Sequence, residues 1–335
     1  MSFVSTDVVI IGAGPAGTTC GFLLKKAAVD CVLIDHARFP REKICGGGLT
    51  PKAYHLLAKL MPDLRYEYQP VRKMRLLIGT KVVSEIEPEE ELRVVNRKDF
   101  DLALLQQYLA IGGELVQGAF LRFDEQPDGR ILVTLKSGQQ YLCHHLIGAD
   151  GANSRVRHQL IGDYRGNVLA MEQYVPKGSG ILEGSLSSQY CKGYYYRFPG
   201  ADHDVVGYVD KRLNLQIFKH ILKTMGVEEA DIKGAYIPVE EVESGMKHVI
   251  LIGDAGGFPN KVTYEGLYYA IVTGLNASRA VIENRPFKET NSDIFRRKRR
   301  ERLLVKLFYS HLGMILVRLC SISPRIVKRI YEAGV

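Results

Sequence analysis

Tryptophan is missing from this 335-residue chain, and its six cysteines (20, 31, 45, 143, 191 and 320) form no CxxC pair and no His/Cys ligand spacing. No metal site is therefore expected, and reduced thiols in a cytosolic protein are the simplest account of the cysteines. The opening residues, MSFVSTDVVIIG, have no basic segment ahead of their apolar run. They read as a core strand and not as a signal peptide. No repeat or low-complexity tract is present. What remains is ordinary for a soluble globular protein, 46% hydrophobic and 24% charged, with length for one large or two medium domains and a substantial core.

The net charge of +8 is uneven. Residues 296–335 hold eleven Lys/Arg against two Glu, a net of +9, which leaves about −1 for residues 1–295. Such a patch suits nucleic acid or an anionic membrane surface, but no nucleic-acid-binding module is recognisable, so nucleic acid is not expected. The tail FRRKRRERLLVKLFYSHLGMILVRLC reads as one helix, with Leu304, Phe308, Leu312, Ile315 and Leu319 in a narrow stripe. Lys306 and Arg318 interrupt it, so it is a poor transmembrane span. Either the stripe packs on the rest of the chain, or the segment attaches peripherally to an anionic membrane. In the second case each basic residue contributes on the order of 1 kcal/mol.

Residues 7–17, DVVIIGAGPAG, run an apolar strand into Gly12-x-Gly14-x-x-Gly17, and Asp35 ends the next apolar run, CVLID. This is the pattern of a strand, a tight turn and a helix whose N-terminus faces a phosphate. Gly12 permits the turn, Gly14 lets backbone approach a pyrophosphate, and Gly17 lets helix and strand pack closely. Asp35 would accept a hydrogen bond from a ribose hydroxyl. A dinucleotide ligand follows, with NAD and FAD both open at this point.

Three further motifs come later in the chain. ICGGGLTP, from Ile44 to Pro51, places three glycines after Cys45, bare backbone on which a flat ligand can lie. LIGADGANSRVR, from Leu146 to Arg157, is a strand, a turn at Asp150 and basic residues. In VILIGDAGGFPNKVTYEGLYYAI a buried strand ends at Asp254 and a helix begins at Gly266. There Asp254 could accept hydrogen bonds from a sugar-like chain, and the helix N-terminus at Gly266 and Leu267 could face developing negative charge.

Taken in order, these motifs resemble the FAD-dependent oxidoreductases of the aromatic-hydroxylase fold, and most of all the geranylgeranyl reductase family, over roughly residues 5–285. The resemblance implies an α/β fold: a Rossmann-like FAD-binding domain with an inserted antiparallel β-sheet substrate domain and C-terminal helices. The FAD-binding domain would be discontinuous, at 1–70, 96–162 and 246–290. Residues 71–95 and 163–245 would form the substrate domain, and 291–335 a basic helical segment. The resemblance puts Gly12, Gly14, Ala16 and Gly17 on the FAD pyrophosphate and Asp35 on the adenosine ribose. It sets Cys45, Gly46 and Gly48 beside the flavin, Arg97 as an FAD-binding arginine and Ala119 near adenine. Asp150 matches the acid of the family's DG motif, Asp254 would hold the ribityl chain, and Gly266 with Leu267 would sit at the isoalloxazine.

The segment GYYYRFPGADHDVVGYV resembles the family's substrate-lining YxWxFP…GxG signature, with Tyr194, Phe198, Pro199 and Gly207 in place. Tyr196 stands where tryptophan is usual, Val209 replaces the second glycine, and Tyr264 replaces a glycine beside the flavin. A plainer reading makes the tyrosine run sheet-packing aromatics. Flavin-dependent halogenases resemble one another in a WxWxIP helix, which a chain without tryptophan cannot carry. No second GxGxxG follows a strand, so electrons must arrive from NAD(P)H or another external donor bound transiently.

The resemblance implies reduction of carbon–carbon double bonds in a prenyl or similar lipid, by hydride transfer from N5 of reduced FAD and protonation of the other alkene carbon. Cys45, Tyr196 and Tyr264 are the candidate catalytic residues, with ordered water as the alternative proton source. A monooxygenase of the same fold and a non-enzymatic prenyl-chain carrier are the alternatives. Intact Gly12, Gly14, Gly17, Asp35 and Asp254 argue against the carrier.

Overall fold

A computed structural model describes residues 3–186, 193–308 and 310–334. Cys191 and the side chain of Phe308 lie outside the described residues.

The strand Val4–Ile11 lies at the centre of the first sheet, between Cys31–Asp35 and Gln140–Gly148, parallel to both. All five residues of Cys31–Asp35 are buried, as expected of a parallel strand covered on both faces. Glu114–Gln117 extends this parallel half beyond Cys31–Asp35. On the other side, Gln140–Gly148 divides its free edge. Its first residues pair antiparallel with Ile131–Leu135, and its last three pair parallel with Val249–Leu251. Phe120–Glu125 completes the antiparallel half. Pro15–Lys26, Arg97–Ala110 and Leu267–Ile282 bury one side of the sheet around Ile10, Leu33, Leu104 and Ile271.

The second sheet is built from residues 74–86 and 167–238. Its strand order is Lys233–Pro238, Asn167–Pro176, His203–Asp210, Tyr194–Phe198, Leu182–Leu186, Met74–Ile78 and Lys81–Ile86. Because strand side chains alternate between faces, the tyrosine run splits. Tyr195 and Tyr208 pack under the helix Leu215–Thr224 with Phe218 and Leu222. Tyr196, Val205 and Val209 belong to the opposite face, with Tyr194 and Phe198 against them. Of the run, Tyr195 is therefore sheet packing, while Tyr194 and Tyr196 face the crevice between the sheets.

The C-terminal segment departs from the single expected helix. Ser292–Phe308 and His311–Ser321 are separate helices, and Ser310 caps the second by accepting from the Gly313 N–H at 3.0 Å. A serine at an N-cap satisfies an orphan N–H that a continuous helix would not leave. The stripe does not pack on the rest of the chain: Leu312 is 64% and Leu319 62% exposed. Nor is the whole basic run solvated. Lys298 is fully buried, donating to the Pro259 carbonyl at 2.5 Å and pairing with Glu301 at 3.0 Å. Glu301 also accepts from Tyr269 at 2.5 Å and Asn260 at 3.0 Å. Burial pulls the Lys298 amine down to about 8, against the opposing pull of Glu301. This knot ties the C-terminal helices to the loop that carries Tyr264. Among the described residues no helix is long and apolar enough to cross a membrane.

Candidate active site

A cavity of about 1480 Å³ follows the carboxyl ends of the parallel strands and continues under the crevice face of the second sheet. At its first end Gly12 has φ +107°, and a Cβ there would lie 2.3 Å from the Ala149 carbonyl oxygen. A side chain is excluded both by conformation and by space. Gly14 caps the helix Pro15–Lys26 with no side-chain bond, so the first helical N–H groups point to the crevice as an anion site does. Ala16 also lines it. Gly17 does not reach the crevice; a Cβ there would lie 1.9 Å from the Gly12 carbonyl oxygen, so its part is close packing of helix on turn. Asp35 accepts from the Ala13 N–H at 2.8 Å and the Ala37 N–H at 2.9 Å, which fixes the turn. Ala119 lines the same end beside Gly118.

One buried carboxylate organises the middle. Asp101 accepts from Arg97 at 2.8 and 2.9 Å and pairs with Arg41 at 3.1 Å. Burial disfavours the charge on Arg97, but Asp101 and the neighbouring Cys45 outweigh it and hold the guanidinium firmly protonated. The Arg41 guanidinium comes within 3.2 Å of where a Gly14 Cβ would stand, so it lies over the helix N-terminus. Asp150 lines the crevice, while its carboxylate accepts from Ser154 Oγ at 2.5 Å and the Arg155 N–H at 2.7 Å, capping the helix Arg155–Ile161. Asp254 faces Lys43 at 3.9 Å. Gly266 begins the helix Leu267–Ile282, again with no side-chain cap, and Leu267 is buried against the cavity.

The glycine loop behaves differently from expectation. Cβ atoms at Gly46 and Gly48 would lie 2.7 and 2.8 Å from the Phe198 ring. The bare backbone there is covered by this chain's own aromatic, which joins the loop to the second sheet, although Cys45 to Gly48 still border the cavity. Tyr194, Tyr196, Phe198 and Tyr264 line the far end; Pro199 does not, lying buried behind it. Tyr194 donates to the Thr263 carbonyl at 2.6 Å and stacks on Tyr264, their ring centroids 5.9 Å apart. Tyr264 holds φ +56°, a left-handed conformation uncommon for a bulky residue. Cys45 Sγ accepts from the Gly47 N–H at 3.4 Å.

Two residues of the site carry no motif. Arg41 follows the FP of RFPREKIC, and Glu172 sits within the strand NVLAMEQYVP. Glu172 is 5% exposed and accepts from Tyr196 Oη at 3.0 Å. Burial pushes its carboxyl above the usual range, opposed by that bond. The two uncapped helix N-termini, the side-chain-free turn at Gly12 and the paired arginines fit an extended dinucleotide carrying a ring system toward Tyr196.

Comparison with known proteins agrees with this geometry. The family model for an FAD binding domain matches residues 5–175, just over half of the chain. The menaquinone reductase of Mycobacterium tuberculosis is 32% identical over 305 residues, 81% of this chain and 75% of that protein. The chloroplastic geranylgeranyl diphosphate reductase of Oryza sativa subsp. japonica is 27% identical over 312 residues, 82% of this chain and 66% of that protein. A solved geranylgeranyl bacteriochlorophyll reductase-like protein from Thermoplasma acidophilum superposes with a TM-score of 0.77 over 99% of this chain and all of its own, at 18% identity.

Arg41→Ala is expected to weaken FAD binding about tenfold, or ~1.4 kcal/mol, and to reduce its salt dependence. Flavin fluorescence titration at two salt concentrations measures this; an unchanged Kd would mean that Arg41, although it lies over the helix N-terminus, makes no contact with a cofactor phosphate.

Proposed function

Because this chain belongs to the FAD binding domain family, as an FAD-dependent oxidoreductase of the geranylgeranyl reductase and menaquinone reductase group, we propose that it saturates carbon–carbon double bonds in a prenyl chain. The observation that carries this reading is the cavity itself. Its volume is about 1480 Å³, and its lining continues well beyond the residues that would hold the cofactor. Beyond the tyrosines it runs past Leu182 and Ile237 to Leu304, Leu316, Val317 and Ile330 of the C-terminal segment. A long hydrocarbon chain suits such a lining, and a small aromatic acid does not.

In this reading Gly12, Gly14, Arg41 and Arg97 hold the phosphate end of the cofactor, Asp35 its adenosine ribose and Asp254 its ribityl chain. Gly266 and Leu267 border its ring. Bound and reduced by a transient external donor such as NAD(P)H, FAD supplies a hydride for one alkene carbon. The chain's own residues position the alkene, exclude water behind Tyr194, Phe198 and Tyr264, and supply a proton. Anaerobic incubation of the dithionite-reduced protein with prenyl diphosphates, prenyl quinones and free prenols tests this. At least one is expected to gain one H₂ per reduced bond; oxygenated product formed in air, with no saturated product, supports the monooxygenase and overturns the reading.

We also propose that the cavity mouth meets a lipid surface. Leu304, Leu316 and Ile330 line the cavity while remaining well exposed, and Leu307, Leu312, Leu319 and Ile322 extend that apolar face. Arg299, Arg302, Lys306 and Arg318 lie in the same helices, and a basic rim around an apolar face suits anionic lipid. Liposomes rich in anionic lipid are expected to sediment the protein at low salt. Equal recovery on neutral liposomes at any salt would contradict this.

A further inference from the structure

Three neighbouring strands hold an arrangement that no motif accounts for. Glu172 pairs across the sheet with Gly207, and Gly207 with Tyr196, so the three stand in one row. With no side chain at Gly207, the Tyr196 ring crosses over the middle strand; a Cβ there would lie 2.3 Å from its Cζ and Oη. The phenol thereby reaches Glu172 and donates to Oε2 at 3.0 Å. Both side chains line the cavity, with Glu172 5% and Tyr196 8% exposed. Among the described residues no cation forms an ion pair with Glu172. The Cys45 backbone N–H is directed at it, and Lys43 and Lys233 act only from farther away.

A carboxyl buried without a cation is stabilised in its neutral form. Burial accordingly raises Glu172, and burial together with Glu172 raises the Tyr196 phenol well above its ordinary value. A phenol alone is then too weak an acid to act at neutral pH, but a neutral carboxylic acid behind it can replace its proton as it leaves. The neighbouring Tyr194 is a poorer candidate, because its hydroxyl is held by the Thr263 carbonyl, which has no proton to return to it.

We propose that the Glu172–Tyr196 pair is the proton source of the reduction, an inference that rests on the alkene chemistry proposed above. The Tyr196 O–H bond breaks as a C–H bond forms on the alkene carbon that does not receive the hydride. When Glu172 is protonated the bond seen between them reverses, the Glu172 O–H donating to the phenol oxygen and freeing the Tyr196 proton for the alkene. The Glu172 O–H bond then breaks as the Tyr196 hydroxyl re-forms, and the resulting carboxylate recovers a proton from water between turnovers.

Infrared spectra of the oxidised, FAD-loaded protein at neutral pH are expected to contain a protonated-carboxyl C=O band that shifts in D₂O and is absent from Glu172→Gln. That variant should fold, because Gln keeps the shape of the side chain and its amide oxygen can still accept from Tyr196. Burial raises the Glu172 carboxyl above its unfolded value, so its contribution to stability is lost as pH rises through the raised value, and Gln removes that dependence. In anaerobic single turnovers with a prenyl acceptor, reduced E172Q and Y196F should each be re-oxidised at least tenfold more slowly with flavin content unchanged. The double variant should be no slower than either, as for residues acting as a unit. A wild type that turns over while E172Q matches it, or that lacks the infrared band, overturns this proposal alone. A wild type that no prenyl lipid re-oxidises overturns the functional reading beneath it.

Discussion

No side chain can be built at residue 12, because the Ala149 carbonyl already occupies its place. That contact holds the carboxyl ends of Val4–Ile11 and Gln140–Gly148 at backbone distance, with the Gly12 N–H donating to Ile34 at 2.8 Å and the Ala149 N–H to Ile11 at 2.8 Å. The crevice opens above this junction, where helix N-termini and strand ends converge. Asp35, Asp150 and Asp254 all sit at strand ends or just past them; the first two are fixed by backbone N–H groups, and Asp254 faces Lys43 at 3.9 Å.

The second sheet completes the crevice through glycines that make room for aromatics. Gly46 and Gly48 yield to Phe198, and Gly207 yields to Tyr196. Where Val209 stands instead of glycine, opposite Tyr194, the tyrosine is bound to the Thr263 carbonyl and stacked on Tyr264. Two neighbouring tyrosines of one strand thus have different fates: one is committed to a loop carbonyl, the other is coupled to a buried acid. The loop that holds Tyr264 is itself secured from below by Lys298 and Glu301.

Much of this was legible in the sequence because it depends on local patterns. The fingerprint at Gly12 to Gly17 and the strand-end acids each require only short stretches of chain, whereas the split of the tyrosine run between two faces appeared only once its strand was placed in the sheet. Other features depend on register between distant strands. Glu172 reads as one polar position of an alternating strand, and only its pairing with Gly207 reveals that Tyr196 reaches it. Lys298 is hidden in a basic run whose neighbours are solvated, and its burial follows from the Pro259 carbonyl and Glu301, which sequence does not bring together. The helix break at Ser310 was concealed by an apolar stripe that continues across it in phase.

The chemistry proposed for this flavoprotein is the addition of one hydride and one proton to adjacent carbons of a prenyl chain. A single anaerobic turnover in D₂O, with the product analysed by NMR, tests it most directly, since the N5 hydrogen of reduced flavin exchanges with solvent. Deuterium is expected on both carbons of one saturated bond, with no oxygen gained. Recovery of the prenyl chain unsaturated, with the flavin still reduced, would contradict it.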